Sequence, residues 1–233
     1  MTPLVKIRLR RAIYIKNQFE KKAWAEQKFV CGIDEVGRGC LAGPLVAAAV
    51  VLPPGRLHPL LKDSKVLTPQ EREVAYNWLV KRVWFGIGIV HHRLIDTHGI
   101  WQANLLAMKR ALMHAVVQCP HTLESVLVDA MPLSLQDTSL TGIPVHYFPK
   151  GEYISVSVAA ASIVAKVTRD RIMQRLHHIV PGYYLDEHKG YGTSEHKNAL
   201  IEQGASLIHR ASFLKNITMK MEDESNEQQL SLW

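Results

Sequence analysis

The eight apolar residues LVAAAVVL, at positions 45–52, constrain the fold more than any other stretch of the sequence. A strand with one wet face alternates apolar and polar residues, so a continuous apolar run predicts a strand buried on both faces. Apolar runs at 29–34 and 83–90 predict two further strands, and shorter ones are expected at 126–129 and 145–148. Burial of both faces requires helices above and below the sheet. The chain is therefore expected to be an α/β protein with a central mixed β-sheet flanked by helices.

Helical patterns separate these strands along the chain. The sequence TPQE at 68–71 is a capping box with proline at the first helical position, and it predicts a helix that ends near residue 80. Apolar periodicity predicts further helices at 100–117, 156–179 and 194–203, the last closed by Gly204 as a left-handed cap. With 233 residues and 47% hydrophobic content, the chain can bury one sizeable core.

The two ends of the chain carry opposite charge. Residues 1–29 hold eight Lys and Arg against two Glu, and apolar positions recurring at three and four residues over 4–28 predict a helix. We interpret it as an amphipathic helix packed on the domain in preference to a dedicated nucleic-acid arm. Residues after Ile217 are polar and acidic, a composition typical of disorder. The expected organisation is a basic helical extension (1–28), one domain with C-terminal helices (29–214) and an acidic tail (215–233).

Composition also narrows the function classes. Three cysteines without CxxC spacing indicate free thiols in a reducing compartment and argue against a zinc site. No apolar run is long and charge-free enough for a membrane span, and the N-terminus lacks the pattern of a signal peptide. The net charge of +7 weakly favours a polyanionic partner. The chain is expected to be a cytoplasmic monomer that does not associate with membranes.

The segment CGIDEVGRG, at 31–39, carries the strongest functional signal. An acidic pair at the end of a buried strand is costly unless a cation lies beside it, and an arginine flanked by glycines suits close approach of a phosphate. A second predicted strand ends in Asp129. In such sheets, ligands bind at the ends of strands, where polar side chains come together. Asp34, Glu35 and Asp129 therefore predict a carboxylate cluster able to hold hard divalent cations.

Here the chain resembles a bacterial type 2 ribonuclease H (ribonuclease HII). That family cuts the RNA strand of RNA–DNA hybrids and nicks beside single ribonucleotides in duplex DNA. The matching segments cover residues 29–214 in the family's order and are GIDEVGRG (32–39), LAGPLVAAAV (41–50), KDSKVL (62–67), LVD (127–129), KGE (150–152), AASIVAKVTRDRIM (160–173), HKGYGT (188–193) and HRASF (209–213). The resemblance implies a ribonuclease H-like fold for this domain.

It also implies a catalytic and metal-binding set of Asp34, Glu35, Asp129 and Glu152, with Mg²⁺ or Mn²⁺ as cofactor. The family has aspartate in the fourth position, where this sequence has KGE. Glutamate reaches one methylene further, so Glu152 can still bind an ion, directly or through a water.

The resemblance assigns ribonucleotide sensing to Gly37, Arg38, Gly39 and Tyr191. Backbone groups of the glycine-flanked turn would read the 2′-hydroxyl, and the Tyr191 ring would stack on the next sugar. Tyr191 could instead be an ordinary half-buried aromatic.

Other basic and histidine side chains carry weaker predictions. Lys65, Lys166 and Arg169 are candidate phosphate ligands, although for Lys166 and Arg169 a solvated helix face is equally expected. Asp170, one turn beyond Lys166, is interpreted as a structural ion-pair partner. Three histidines in and between the last two motifs fit no zinc spacing and are interpreted as surface or substrate-proximal residues: His188, His196 and His209.

The last five residues, QLSLW, form a separate motif. The pattern resembles the pentapeptide by which bacterial repair proteins dock into the DNA polymerase sliding clamp, with Trp233 in place of the usual phenylalanine. Gln229, Leu230, Leu232 and Trp233 are the expected clamp-binding residues, tethered by the acidic spacer. The alternative is a short apolar end that folds back onto the domain.

Two other functions remain open from sequence. One is a different two-metal nuclease on a ribonuclease H-like sheet. The other is a hybrid-binding module that does not cleave because of Glu152. The glycine-flanked turn and Tyr191 favour ribonuclease activity over both alternatives, since these residues would allow the site to recognise a 2′-hydroxyl.

Overall fold

The computed structural model of the protein describes residues 3–6, 17–55 and 57–214. Its strands, in chain order, are β1 (Leu4–Lys6), β2 (Phe29–Val36), β3 (Leu45–Val51), β4 (Trp84–Val90), β5 (Leu123–Asp129) and β6 (Val145–Phe148). Its helices are α1 (Gln18–Ala25), α2 (Pro69–Leu79), α3 (His92–Gln118), α4 (Val156–Ile179), α5 (Leu185–His188) and α6 (Ser194–Gln203). A single 3-10 turn, Gly151–Tyr153, precedes α4.

The strands form one mixed sheet, as predicted, in the order β1-β6-β5-β2-β3-β4. β2 pairs antiparallel with β3 and parallel with β5, and β5 pairs parallel with β6. Ile33 of β2 lies opposite Val128 of β5, so the next residue of each strand, Asp34 and Asp129, emerges at the same edge. Parallel pairing at the centre of the sheet thus joins the two predicted carboxylates.

The two long helices cover opposite faces of the sheet. α3 packs on the face that carries Cys31 and Ile33, and α4 packs on the face that carries Gly32. Contact with α4 is so close that a Cβ on Gly32 would lie 2.2 Å from the Ser157 carbonyl carbon. β3 is buried along its whole length between the helices, which confirms the two-sided burial predicted from its apolar run.

Most predicted helix boundaries are confirmed. The capping box is formed, since the Thr68 side chain accepts from the Glu71 N–H and the Glu71 carboxylate accepts from the Thr68 N–H. α4 and α6 have the predicted bounds. α3 begins at His92, earlier than predicted, because Gly99 (φ 77°, ψ 158°) interrupts it and only the second segment shows the strong periodicity. The cap at Gly204 is not left-handed, since its ψ is −169°.

The N-terminal helix was predicted to begin too early. Leu4–Lys6 is a strand that pairs parallel with Val145–Tyr147, and α1 begins at Gln18. The edge of β6 offers unpaired backbone groups to an extended segment, and this pairing outweighs the helical spacing of the sequence. Among the described residues, no helix is long and apolar enough to cross a membrane.

Candidate active site

A cleft of about 230 Å³ opens at the edge of the sheet where β2 and β5 end. Nine of the predicted site residues line it: Asp34, Glu35, Gly37, Arg38, Gly39, Lys65, Asp129, Lys166 and Tyr191. Val36, Ser64 and Ser162 complete the wall. Residues from five separate segments of the chain therefore meet at one place, which the sheet topology makes possible.

Asp34 points toward α4. Its Oδ1 accepts a hydrogen bond from the Glu35 N–H at 2.8 Å, and the Ser162 hydroxyl provides another. Ser162 Oγ lies 2.7 Å from Ser64 Oγ, so two hydroxyls connect α4, the loop before α2 and the carboxylate. Burial raises the pKa of Asp34 well above its ordinary range, and the charges of Glu35 and Asp129 add to the rise. A nearby cation would relieve this penalty.

Glu35 points to the opposite face, toward α3. Arg38 Nη1 lies 3.3 Å from Glu35 Oε1. Burial raises the pKa of Glu35 and Asp129 adds to the rise, whereas Arg38 and the Asn104 amide oppose it. Glu35 Oε2 is buried, and it has no hydrogen-bond partner among the described residues, nor does either polar atom of the Asn104 side chain at ordinary geometry. An oxygen ligand therefore remains available at the bottom of the cleft.

Asp129 and Glu152 complete the acidic group. The Gly151 N–H donates to Asp129 Oδ1 at 2.9 Å, which ties the end of β5 to the 3-10 turn that carries Glu152. Burial raises the pKa of Glu152, with smaller contributions from Asp129 and Asp63 against the opposing charge of Lys65. Glu152 is thus an electrostatic neighbour of Asp129, although it is not among the residues that line the cleft.

The donor set fits hard divalent cations. All four acidic side chains offer oxygen, the ligand atom that Mg²⁺ and Mn²⁺ prefer. Burial and mutual repulsion raise the pKa of three of them, and one buried carboxylate oxygen has no partner among the residues described. In the described part of the chain, no three acidic, histidine or cysteine side chains are placed so that they could hold a metal ion together. Binding an ion would therefore require these acidic side chains to move from their present positions.

The glycine-flanked turn and Tyr191 form the other wall of the cleft. Gly37 has a φ of 92°, which favours glycine, and a Cβ there would lie 2.3 Å from Arg169 Nε. Tyr191 is 40% exposed and lines the cleft. Lys166 Nζ lies 6.0 Å from the ring centroid.

Comparison with known proteins agrees with this geometry. The family model for ribonuclease HII matches residues 31–216. The chain belongs to the ribonuclease HII family. A curated ribonuclease HII from Dehalococcoides mccartyi is 44% identical over 202 residues, covering 82% of this chain and 92% of the relative. Membership makes the protein a metal-dependent endoribonuclease, a hydrolase.

Solved structures share the ribonuclease HII fold. The RNase HII of Archaeoglobus fulgidus, solved in complex with PCNA, has a TM-score of 0.65 at 28% identity, covering 78% of this chain and 94% of that one. The ribonuclease H2 of Pyrococcus horikoshii OT3 has a TM-score of 0.63 at 25% identity, covering 83% and 99%. The predicted ribonuclease H-like sheet flanked by helices is thereby confirmed.

Arg169 does not fit the predicted role of a phosphate ligand in this ribonuclease HII. Its side chain is fully buried, and its guanidinium donates to three backbone carbonyl oxygens: Pro44 at 2.9 Å, Lys189 at 2.8 Å and Ala42 at 3.2 Å. Arg169 instead connects the residues that follow the Gly37–Gly39 turn with the segment that carries Tyr191. Lys166 lines the cleft and also bonds Asp170 Oδ1 at 2.7 Å, which confirms the predicted ion pair.

The three histidines were predicted to be surface or substrate-proximal residues, and two of the three are not on the surface. His196 and His209 are buried, and their Nε2 atoms lie 3.0 Å apart, while His188 stacks on His196 with centroids 4.3 Å apart. Sequence reasoning also missed Ser64, Ser162 and Asn104. The two serines lie inside motifs already recognised, and Asn104 is a lone polar residue on the apolar face of α3, a pattern that could have been noticed.

Proposed function

We propose that this protein hydrolyses the RNA strand of RNA–DNA hybrids and incises duplex DNA on the 5′ side of embedded ribonucleotides. One observation carries the proposal: the carboxylates of Asp34, Glu35 and Asp129 share a single cleft with the glycine-flanked turn and Tyr191. The acids supply a site for cations, and the opposite wall supplies groups suited to recognising a ribonucleotide. We further propose that the protein acts as a cytoplasmic monomer.

Asp34, Glu35, Asp129 and Glu152 are the proposed ligands of two Mg²⁺ or Mn²⁺ ions. When bound, the ions would activate the attacking water and stabilise the leaving oxygen of the phosphodiester. The chain's own contribution is to bring these acids together on a rigid sheet edge, with Asp34 and Asp129 fixed by the Glu35 and Gly151 N–H groups. Because burial raises the pKa of Asp34 and Glu35, cation binding would be accompanied by release of protons from these two acids.

The remaining cleft residues would bind and orient the nucleic acid. Backbone groups of Gly37–Gly39 would read the 2′-hydroxyl, and Tyr191, which lines the same cleft, would stack on the adjoining sugar. Lys65, Lys166 and Arg38 would hold phosphates along the cleft. Together these groups would place one phosphodiester over the carboxylates.

The activity is tested with a duplex that carries one ribonucleotide, labelled at the 5′ end and incubated with Mg²⁺ or Mn²⁺. We expect a single cut on the 5′ side of the ribonucleotide and none in an all-DNA duplex. Asp34→Asn is expected to bind the duplex without cutting it. Wild-type protein that binds without cleavage would instead support the hybrid-binding module.

We also propose that the C-terminal QLSLW binds a sliding clamp. Its residues lie outside the described part of the chain, and the proposal rests on the motif together with the complex that the Archaeoglobus protein forms with PCNA. A peptide of residues 222–233 should bind purified bacterial clamp with a dissociation constant on the order of micromolar, a common value for a short linear motif. Loss of binding on Leu232→Ala with Trp233→Ala would support the assignment. No binding by the full-length protein would refute it.

A further inference from the structure

One segment near the end of the described chain, Ile208–Arg210, is connected by hydrogen bonds to the two parts of the cleft proposed to recognise a ribonucleotide. These parts are the Gly37–Gly39 turn and Tyr191. The backbone of the segment pairs with the residues that follow the Gly37–Gly39 turn. The Gly43 N–H donates to the Ile208 carbonyl oxygen at 2.9 Å, and the Arg210 N–H donates to the Leu41 carbonyl oxygen at 2.8 Å. The same stretch reaches Tyr191 through side chains. It therefore connects two parts of the cleft that are far apart in sequence.

Arg210 holds the turn directly. Its side chain is fully buried, and its Nη1 donates to the Arg38 carbonyl oxygen at 3.0 Å. Nε and Nη2 both donate to the Gly43 carbonyl oxygen, at 3.1 and 3.0 Å. Burial lowers the pKa of Arg210 to about 10, so the guanidinium is still charged at neutral pH. A buried, charged donor of this kind fixes the backbone path of the turn, because each carbonyl would lose its partner if the turn moved.

His209 holds Tyr191 through a chain of hydrogen bonds whose direction is fixed. The Ser206 backbone N–H, which can only donate, lies 3.0 Å from His209 Nδ1, so that atom must accept. The His209 proton is therefore on Nε2, which donates to His196 Nε2 at 3.0 Å. The His196 proton must then be on Nδ1, which donates to the Tyr191 carbonyl oxygen at 2.9 Å.

This series of hydrogen bonds requires a neutral His196, because a second proton on His196 Nε2 would face the His209 Nε2–H. A second proton on His209 Nδ1 could be accepted by Ser206 Oγ at 2.7 Å and would leave the donor to His196 in place. Burial and the neighbouring His196 lower the pKa of His209 to about 4, in agreement with this geometry. At neutral pH, His196 Nδ1–H therefore remains a hydrogen-bond donor to the Tyr191 carbonyl oxygen.

We propose that His209 and Arg210 are positioning residues that set the spacing between the Gly37–Gly39 turn and Tyr191, and through it the preference for RNA–DNA junctions. The inference rests on the proposed function of this cleft. The turn would read the ribose and Tyr191 the following deoxyribose, so their separation must match one nucleotide step. A shift of either part would weaken cleavage at a junction more than cleavage within continuous RNA, where no deoxyribose needs to be recognised.

Two matched polar variants of His209 test the proposal. Gln reaches as far as Nε2, so His209→Gln keeps a donor to His196, whereas Asn reaches only to Nδ1, so His209→Asn keeps the contact to Ser206 and loses that donor. The measured quantity is kcat/KM on a single-ribonucleotide duplex divided by kcat/KM on a continuous RNA–DNA hybrid. We expect His209→Asn to lower this ratio about tenfold, since small misplacements of substrate-positioning groups cost 10–100-fold. His209→Gln should recover most of it.

His146→Gln is the control, because His146 is a half-buried histidine that packs on Phe19, away from this chain of hydrogen bonds. It should leave the ratio unchanged. Melting temperatures of all variants show whether each one is folded. A wild-type ratio retained by His209→Asn, or equal losses on both substrates, would overturn the inference while leaving the proposed function intact. Wild-type protein with no activity on the single-ribonucleotide duplex would overturn the proposed function itself.

Discussion

At the scale of single residues, the acidic side chains that the proposed activity requires lower the stability of the metal-free fold. The pKa of Asp34 is raised by burial and by its acidic neighbours, so ionisation of Asp34 opposes folding. Its contribution to stability is complete below its ordinary pKa, near 4, and is lost as the pH rises through the raised value. We therefore expect Asp34→Asn to abolish cleavage and also to raise the melting temperature at pH 7.5 in EDTA. Asp137→Asn, which removes an exposed acid, should change neither property.

A metal-free Asp34→Asn protein that melts below wild type would contradict this reading of the site. In that case the Asp34 carboxylate would be stabilising the fold through its hydrogen bonds to Glu35 and Ser162, and burial would not be the dominant effect.

Glu152 gives a second prediction at this scale. It is only 8% exposed and follows Gly151, whose N–H holds Asp129, so its charge acts on the same group of acids. Glu152→Gln keeps the size and removes the charge, and we expect cleavage to fall by about 10–100-fold. Glu152→Asp should keep or improve cleavage. Unchanged single-turnover rates for Glu152→Gln would place the fourth ligand elsewhere.

Sequence located the acidic residues of the cleft better than the buried residues that support them. The positions of Asp34 and Asp129 in the cleft were predictable because each directly follows the apolar run of a strand, a pattern that sequence shows directly. Arg169 and His209 were misjudged because charge and spacing do not reveal whether a side chain turns inward. The partners of Arg169 are backbone carbonyl oxygens of distant segments, and His209 pairs with the side chain of His196, contacts that become visible only after the chain has folded.

At the scale of elements, the site depends on how closely α4 packs against β2. α4 carries Ser162, Lys166 and Arg169, and its start crosses β2 where only a glycine fits. A Cβ on Gly32 would lie 2.2–2.6 Å from backbone atoms of Ser157 and Val158, which cannot move aside as a side chain would. We expect Gly32→Ala to destabilise the protein by about 3 kcal/mol, at the upper end for overpacking.

The displaced helix should also reduce activity in the protein that remains folded. Gly39→Ala is a matched comparison for stability, because a Cβ there has no heavy atom within 4 Å. Chemical denaturation of both variants provides the measurement. Equal stability of the two would mean that α4 can shift at little cost and that the close contact is not what positions it.

Element boundaries were predictable where local chemistry determines them. The capping box at Thr68 and the ends of α4 follow from nearby residues, and both were confirmed. Leu4–Lys6 was predicted as helix and is a strand, because its partner strand lies about 140 residues away and no local pattern encodes that pairing.

At the scale of the whole molecule, two groups of buried ionisable residues give stability opposite dependences on pH. Burial, with the neighbouring His196, lowers the pKa of His209 to about 4, and burial also lowers the pKa of His188 and His196. These histidines stay neutral in the fold, so stability falls as the pH drops from about 6.5 toward 4. The raised pKa values of Asp34 and Glu35 do the reverse, since their contribution is lost as the pH rises above about 4.

Divalent cations should act on only one of these groups. Bound Mg²⁺ would stabilise the ionised acids and leave the histidines unchanged, so the rise in melting temperature on adding Mg²⁺ is expected to grow between pH 5 and pH 8. Thermal denaturation across this range, with Mg²⁺ and with EDTA, measures the effect. In Asp34→Asn the Mg²⁺-dependent rise should be smaller and nearly independent of pH. A rise in wild type that is constant with pH would mean that cation binding releases no protons from these acids, and that their raised pKa values do not govern the metal site.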